Sequence, residues 1–304
     1  EDYLIEIDGV MQLVPSQSPE NRFGGEEMPV SLCMSSAMDV QLCGLTLARA
    51  SEAAGILGCD ADRRAIWDEL RSRLPKLGIG SRGQLLEWNE EFSEDEPEHR
   101  HYSHMIGLYP GDIITEKETP ELFEAADVSL RRRLSYGGGH TGWSRSWTAC
   151  LLARLNDAEG AWEHLNVLIK DFATDSLLDL HPPRIFQIDG NFGGAAAVGE
   201  MLLRSGRDCF TLLPALPEAW KRGGSVRGMR AKNGLELSFE WRGGAVTRLE
   251  IKAALAGRCS FKCPGAETLR VRPERRDCFD ISAEDGIFSF DVLAGESFVL
   301  LPRA

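Results

Sequence analysis

The hydrophobic period of this chain changes once, near residue 205, and that change limits the folds open to it. Upstream, apolar residues return at helical spacing; Met38, Leu42, Leu45, Ala48, Ala53 and Ile56 mark one face over 35–57. Ser36 is the expected N-cap, with Asp39 three residues on at the capping-box position. Further helices are expected over 61–74, stopped by Pro75, and over 120–134, 140–155, 157–172 and 192–203. That makes about six, in three hairpins. Downstream, Leu235-Glu-Leu-Ser-Phe-Glu-Trp241 alternates at period two, Arg242-Gly243-Gly244 turns, and 246–251 alternates again. Short apolar runs around Val271, Phe279, Phe288 and Val299 continue the pattern. The chain therefore reads as multi-domain α and β, a helical part over 1–206 followed by an antiparallel β-sandwich over 207–304.

Charge and cysteine content narrow the function classes. A net charge of −13 over 304 residues argues against nucleic acid or an anionic membrane as the main partner. No run of about 18 apolar residues is present to span a membrane. Eight cysteines, at 33, 43, 59, 150, 209, 259, 263 and 278, lie mostly in apolar settings rather than in a disulfide framework. A reducing cytoplasm is expected, with secretion or a periplasmic location left open. The chain opens Glu-Asp-Tyr rather than on Met and lacks a signal-peptide pattern, so its start is expected to be a cut one.

The chemistry concentrates in His181-Pro-Pro-Arg-Ile-Phe-Gln-Ile-Asp-Gly-Asn-Phe-Gly-Gly194. The proline pair forces an extended entry. Asp189-Gly190-Asn191 reads as a tight turn, with Asn191 as N-cap of the helix that follows. Asp189 then sits just before a helix N-terminus, where the dipole favours a carboxylate. His181 and Gln187 crowd the same segment, as in a loop that presents a site. A second polar cluster, His99, His101 and His104, has a spacing of two and three that matches no standard metal site. It is read as hydrogen-bonding groups around a polar ligand, with no metal and no cofactor. Trp88, Tyr102 and Trp143 are candidate faces for carbohydrate stacking, whereas Trp147, mid-helix, is read as core.

Six motifs in order resemble glycoside hydrolase family ninety-five. They are Pro15-Ser-Gln-Ser-Pro-Glu-Asn21, Gln84-Leu-Leu-Glu-Trp88, His99-Arg-His-Tyr-Ser-His104 with Leu108-Tyr-Pro-Gly111, Thr141-Gly-Trp-Ser-Arg145, His181-Pro-Pro183 with Phe186-Gln-Ile-Asp-Gly-Asn-Phe-Gly193, and Leu212-Leu-Pro-Ala-Leu-Pro217. The resemblance covers residues 1 to about 241. It implies an (α/α)6 toroid between β domains, and inverting α-L-fucosidases typically acting on α-1,2-linked fucose, some members preferring α-L-galactosides. By the same resemblance Glu87 is the general acid, and Asp189, with a pair of asparagines, orients the attacking water. His99, His101, His104, Trp143, His181, Gln187 and Asn191, read from their own settings, are the candidate sugar-binding residues. Glu87 is then expected to stay protonated near neutral pH in a pocket that Trp88 makes partly apolar. Inversion places such carboxyl groups about 6.5–9.5 Å apart.

The chain departs from that pattern in two ways. Arg184-Ile185 interrupts the run from Pro-Pro into Phe-Gln. About six helices stand where the full toroid has twelve, and the asparagine pair and an N-terminal β domain belong to the absent part. Exposed flanks of a half toroid favour association with the missing N-terminal half or with a second copy. The implied substrate is a fucosylated oligosaccharide or glycan. A carbohydrate-binding fragment without turnover is the competing class, and another α/α-barrel enzyme, a phosphorylase or lyase, a remoter one.

Overall fold

The computed structural model describes residues 2–24 and 28–303. The chain divides into two compact units, Glu1–Ser144 and Arg145–Ala304. The sequence texture instead changes near 206, well inside the second.

In the first unit, β1 (Leu4–Ile7) and β2 (Val10–Leu13) form a hairpin turned by Asp8 and Gly9, both at positive φ, as its right-handed twist demands. β3 (Ser16–Gln17) pairs with β4 (Leu32–Cys33). α1 (Ala37–Leu57) starts on the cap that the sequence predicts: the Ser36 side chain accepts from the Asp39 N–H at 3.3 Å. It ends on Gly58 in the left-handed conformation. α2 (Ala61–Ser72) packs against α1 and buries none of its own residues. α3 (Pro120–Ser135) opens with proline, whose missing N–H costs nothing in a first turn. Leu85, Tyr102, Met105, Leu108, Ile114 and Leu130 are buried in this unit. α4 (Gly142–Arg154) contains the boundary between the units.

In the second unit, α5 (Ala158–Asp171) is capped by Asp157, which accepts from the Gly160 N–H at 2.8 Å. A small hairpin of β5 (Leu180–His181) and β6 (Ile185–Phe186) leads into α6 (Ile188–Leu202). The next residue already belongs to β7 (Leu203–Ser205), which pairs with β8 (Phe210–Leu212). The remaining strands are β9 (Gly224–Ala231), β10 (Leu235–Arg242), β11 (Ala245–Ala253), β12 (Gly257–Lys262), β13 (Thr268–Pro273), β14 (Phe279–Ser282), β15 (Phe288–Val292) and β16 (Glu296–Pro302). They form a six-stranded sheet, β14-β13-β16-β11-β10-β9, and a four-stranded one, β15-β12-β8-β7. One core joins Leu237, Phe239, Ile251, Val271 and Leu300 of the first sheet to Leu203, Phe210, Phe261 and Phe288 of the second.

Alternation in the sequence is realised directly. Leu235, Leu237, Phe239 and Trp241 are buried, and Gly243 and Gly244, both at positive φ, close the β10–β11 hairpin. The expected all-antiparallel sandwich needs one correction. β12 runs parallel to β8, in register Phe261↔Phe210, along the edge of β8 opposite to its hairpin partner β7. Six helices of more than two turns are found among the described residues, with one boundary displaced. α6 begins at Ile188, not at residue 192.

Candidate functional site

Glu87 organises the first unit. Its segment is tied to α3, where the Leu85 N–H donates to Ala125 O at 3.0 Å and Ser129 Oγ to Leu85 O at 3.2 Å. The side chain, 4% exposed, is enclosed by partners from four places in the sequence. Ser18 Oγ donates to Oε1 at 2.6 Å; Asn21 Nδ2 and Arg133 Nη2 donate to Oε2 at 3.0 and 2.8 Å. His104 Nδ1 lies 3.7 Å from Oε2. Burial alone pushes the Glu87 carboxyl up, but the Arg133 guanidinium, His104 and the Ser18 hydroxyl outweigh it and bring the group down to about 2. Glu87 is thus a carboxylate with both oxygens occupied. The expectation of a protonated Glu87 in an apolar pocket is corrected. Trp88 does not line such a pocket; it packs edge-on against Phe23, at 5.2 Å, which stacks on Phe92 at 4.3 Å. Tyr102, fully buried, is core and offers no face to a sugar.

The two bonds from Ser18 and Asn21 clamp the loop between them. Glu20 is presented outward from that clamp, its side chain 62% exposed. Arg100 Nη2 donates to its carboxylate, and His101 Nε2 lies 3.8 Å away. Ser103 Oγ donates to Pro19 O, fixing the same loop from below. Sequence reasoning does not single out Glu20, although the Ser-Pro-Glu-Asn run that contains it lies in one of the six motifs. The available signal was a carboxylate between two short hydrogen-bonding side chains.

The histidines surround this loop. Arg133 Nη1 donates to His101 O at 2.7 Å and His99 O at 3.2 Å, so one buried guanidinium fixes both the histidine backbone and Glu87. Gln41 on α1 donates to His104 O at 2.8 Å and accepts from the Gly107 N–H at 2.7 Å. His99 is buried, with Nδ1 3.0 Å from Glu96 and Nε2 without a hydrogen-bond partner among the described residues. His101 stacks on His99 at 5.2 Å and meets Trp143 edge-on at 4.6 Å. Burial lowers all three imidazoles, with Arg133 adding to the effect on His99 and His104 and with His99 and Arg100 adding to it on His101; His101 and His104 fall to about 4. They are neutral at pH 7.

The stretch 181–194 lies in the second unit. Its extra Arg184-Ile185 is accommodated by the β5–β6 hairpin, with Arg184 at φ 140° and its N–H donating to His181 O at 2.9 Å. His181 is half-buried, with Nδ1 against the Pro182 carbonyl. Gln187, not Asn191, holds the N-cap position, in extended conformation and without a side-chain cap bond. Its Oε1 is buried and without a hydrogen-bond partner among the described residues. Asp189 stands exposed in the first turn of α6, where the dipole favours its charge. Asn191 is inside the helix and reaches back, Oδ1 accepting from the Asp179 N–H at 3.0 Å and Nδ2 donating to Leu177 O.

The turn read into Asp-Gly-Asn is a helix because its glycines serve close packing. A Cβ at Gly190 would fall 2.1 Å from Asp179 Cγ, and one at Gly193 would fall 2.2 Å from Ser146 Oγ. Asp179 itself, absent from the sequence-based set, is 2% exposed, and neither carboxyl oxygen has a hydrogen-bond partner among the described residues.

Comparison with known proteins places these arrangements in a family. Residues 1–202 match the glycosyl hydrolase family 95 catalytic domain, and 204–300 match that family's C-terminal domain. The chain is 38% identical over 256 residues to alpha-L-fucosidase 2 of Arabidopsis thaliana, covering 79% of this chain and 30% of that protein. It is 34% identical over 215 residues to probable alpha-fucosidase A of Aspergillus niger, covering 65% of this chain and 27% of that one. The chain therefore spans under a third of the length of these curated relatives. Among solved structures, a putative kojibiose phosphorylase aligns with 96% of this chain and 44% of its own, at TM-score 0.47 and 11% identity, too distant to carry an argument. With both family models matched in order along nearly its whole length, the chain belongs to glycoside hydrolase family 95.

Proposed function

We propose that this chain carries part of the catalytic apparatus of an inverting α-L-fucosidase, acting on terminal and preferentially α-1,2-linked fucose of oligosaccharides or glycans. The helices over 1–206 are read as part of an (α/α)6 toroid, and 207–304 as an accessory β domain. The free thiols at all eight cysteines fit a reducing compartment. Family membership supports the sugar. The observation that carries the chemistry is the clamped loop, which presents Glu20 beside Arg100 and His101 while Glu87, enclosed, holds the clamp.

A proton donor must reach the glycosidic oxygen. Glu87, the acid that the family resemblance implies, has its oxygens held by Ser18, Asn21 and Arg133. We put Glu20, exposed and with one oxygen on Arg100, forward as the acid in its place; like Glu87 it must take up a proton before the sugar's bond can break. The C1–O bond of the sugar breaks as Glu20 protonates the leaving oxygen. A water oxygen bonds to C1 from the face opposite the leaving group and gives up its proton to a base, the part for which Asp189 is put forward by resemblance, and the anomeric configuration inverts. Neutral His101 and Trp143 give the sugar a hydrogen-bonding edge and an aromatic face.

The test is proton NMR of the first sugar released by the full-length protein from an α-L-fucoside. β-Fucose appearing first is the expected result, and α-fucose first would exclude inversion. Faster turnover of the matching α-L-galactoside would shift the substrate assignment.

A further inference from the structure

Asp179 has a setting unlike that of any other carboxylate in the second unit. Its main chain is pinned on both sides: the N–H donates to Asn191 Oδ1 at 3.0 Å, and the carbonyl accepts from the Gln187 N–H at 3.2 Å. The side chain lies against the α-carbon of Gly190, the residue between Asp189 and Asn191, in space that any other residue at 190 would fill. Both oxygens are buried and close no full hydrogen bond among the described residues, although the Leu180 and Gly190 N–H groups face them and favour the charge. For a carboxylate so placed the cost of burial outweighs these N–H groups, whereas a neutral carboxyl of the same shape only packs. The charged groups that face it are Asp189 from α6 and His181 from β5.

We propose that Asp179 is a positioning residue for Asp189: as a neutral carboxyl it braces the first turn of α6 and leaves Asp189 the single charged carboxylate of the loop. Loss of its proton puts a second negative charge beside Asp189 and an unsolvated one against Gly190, and the brace fails. Burial, with Asp189 adding to it, pushes the Asp179 carboxyl up to about 6. This inference rests on the role proposed for Asp189 but not on the identity of the sugar.

The experiment compares wild type with Asp179→Asn, which mimics the neutral carboxyl, in the full-length protein. Above pH 6 wild-type kcat should fall about tenfold per pH unit more steeply than that of Asp179→Asn, which keeps only the titration of the proton donor, and the two should agree within about threefold at pH 5. An unchanged pH profile in Asp179→Asn overturns the proposal, as does loss of activity at pH 5, which would mean that the ionised form is required. If wild type hydrolyses no α-L-fucoside, the fucosidase reading fails by itself. Carbon-13 NMR titration of the Asp179 carboxyl still decides the inference in that case: a midpoint near 6 that follows Asp189→Asn downward supports it, and one near 4 overturns it.

Discussion

Replacing Glu87 by glutamine separates a structural role from a catalytic one. The substitution keeps the volume but removes the charge that faces Arg133 at 2.8 Å, leaving a guanidinium that is itself 3% exposed. The Glu87 carboxyl lies at about 2 in the folded chain against an ordinary 4.5. A difference of about 2.5 units corresponds to about 3 kcal/mol. Because the folded value is the lower one, this stabilisation is complete above pH 4.5 and disappears as pH falls toward 2. Breaking a buried pair by removing one partner costs about 3–5 kcal/mol on general grounds, the same order. Urea unfolding at pH 7 should therefore show Glu87→Gln about 3 kcal/mol less stable than wild type, with the gap closing at pH 2–3. In the full-length protein, activity should fall in equal proportion on natural fucosides and on α-L-fucosyl fluoride, since the loop bearing Glu20 is loosened for both. Equal stability at pH 7, together with activity lost on natural substrates and spared on the fluoride, would refute this reasoning and return the acid role to Glu87.

Glu20→Gln should show the opposite signature, unchanged unfolding free energy with turnover of natural fucosides reduced about 100-fold or more and the fluoride partly spared; equal loss on both substrates would count against it. Gly190→Ala should destabilise the chain by about 1–3 kcal/mol, because its Cβ falls on Asp179, and the cost should shrink in an Asp179→Ala background, as measured by a double-mutant unfolding cycle. His101 and His104 should titrate near pH 4 in nitrogen-15 NMR. Since their folded values lie below 6.5, they cost stability progressively as pH falls from 6.5 toward 4, in the same direction as Glu87 lower down. Trp143→Ala should raise KM for natural substrates about tenfold, with a smaller effect on kcat, by removing the ring that His101 abuts; an unchanged KM would exclude a sugar-facing role.

Local signals were readable where local physics decides the outcome. The cap at Ser36, the Gly243-Gly244 turn and the alternation in 235–241 need only neighbours within a few residues, and each is realised. The charge state of Glu87 is not legible locally because Arg133, 46 positions downstream on α3, sets it, while the adjacent Trp88 points to an apolar pocket. Glu20 acquires its setting from Arg100, 80 positions away. From sequence Asn191 reads as a cap, because glycines beside Asp and Asn usually mark a turn. Here Gly190 and Gly193 mark close approaches of Asp179 and Ser146 to a helix, which only the packed structure supplies. The parallel pairing of β12 with β8 has no local signature, since strand order across a sheet is fixed by the path of the chain.

The direct passage from α6 into β7 bears on how this protein can be cut and recombined. The seam between the catalytic and C-terminal family segments falls at residue 203, yet no linker exists there. Leu202 and Leu203, the last helical residue and the first of the strand, both belong to the core shared by the two sheets. A protease probing the native chain finds no loose joint at that place. A gene fusion that moves 204–300 onto another host cuts β7 after its first residue, losing the Leu203↔Leu212 pair and the share of the core that Leu202 and Leu203 fill. The C-terminal segment is thus not a portable cassette, and its inheritance is bound to that of α6.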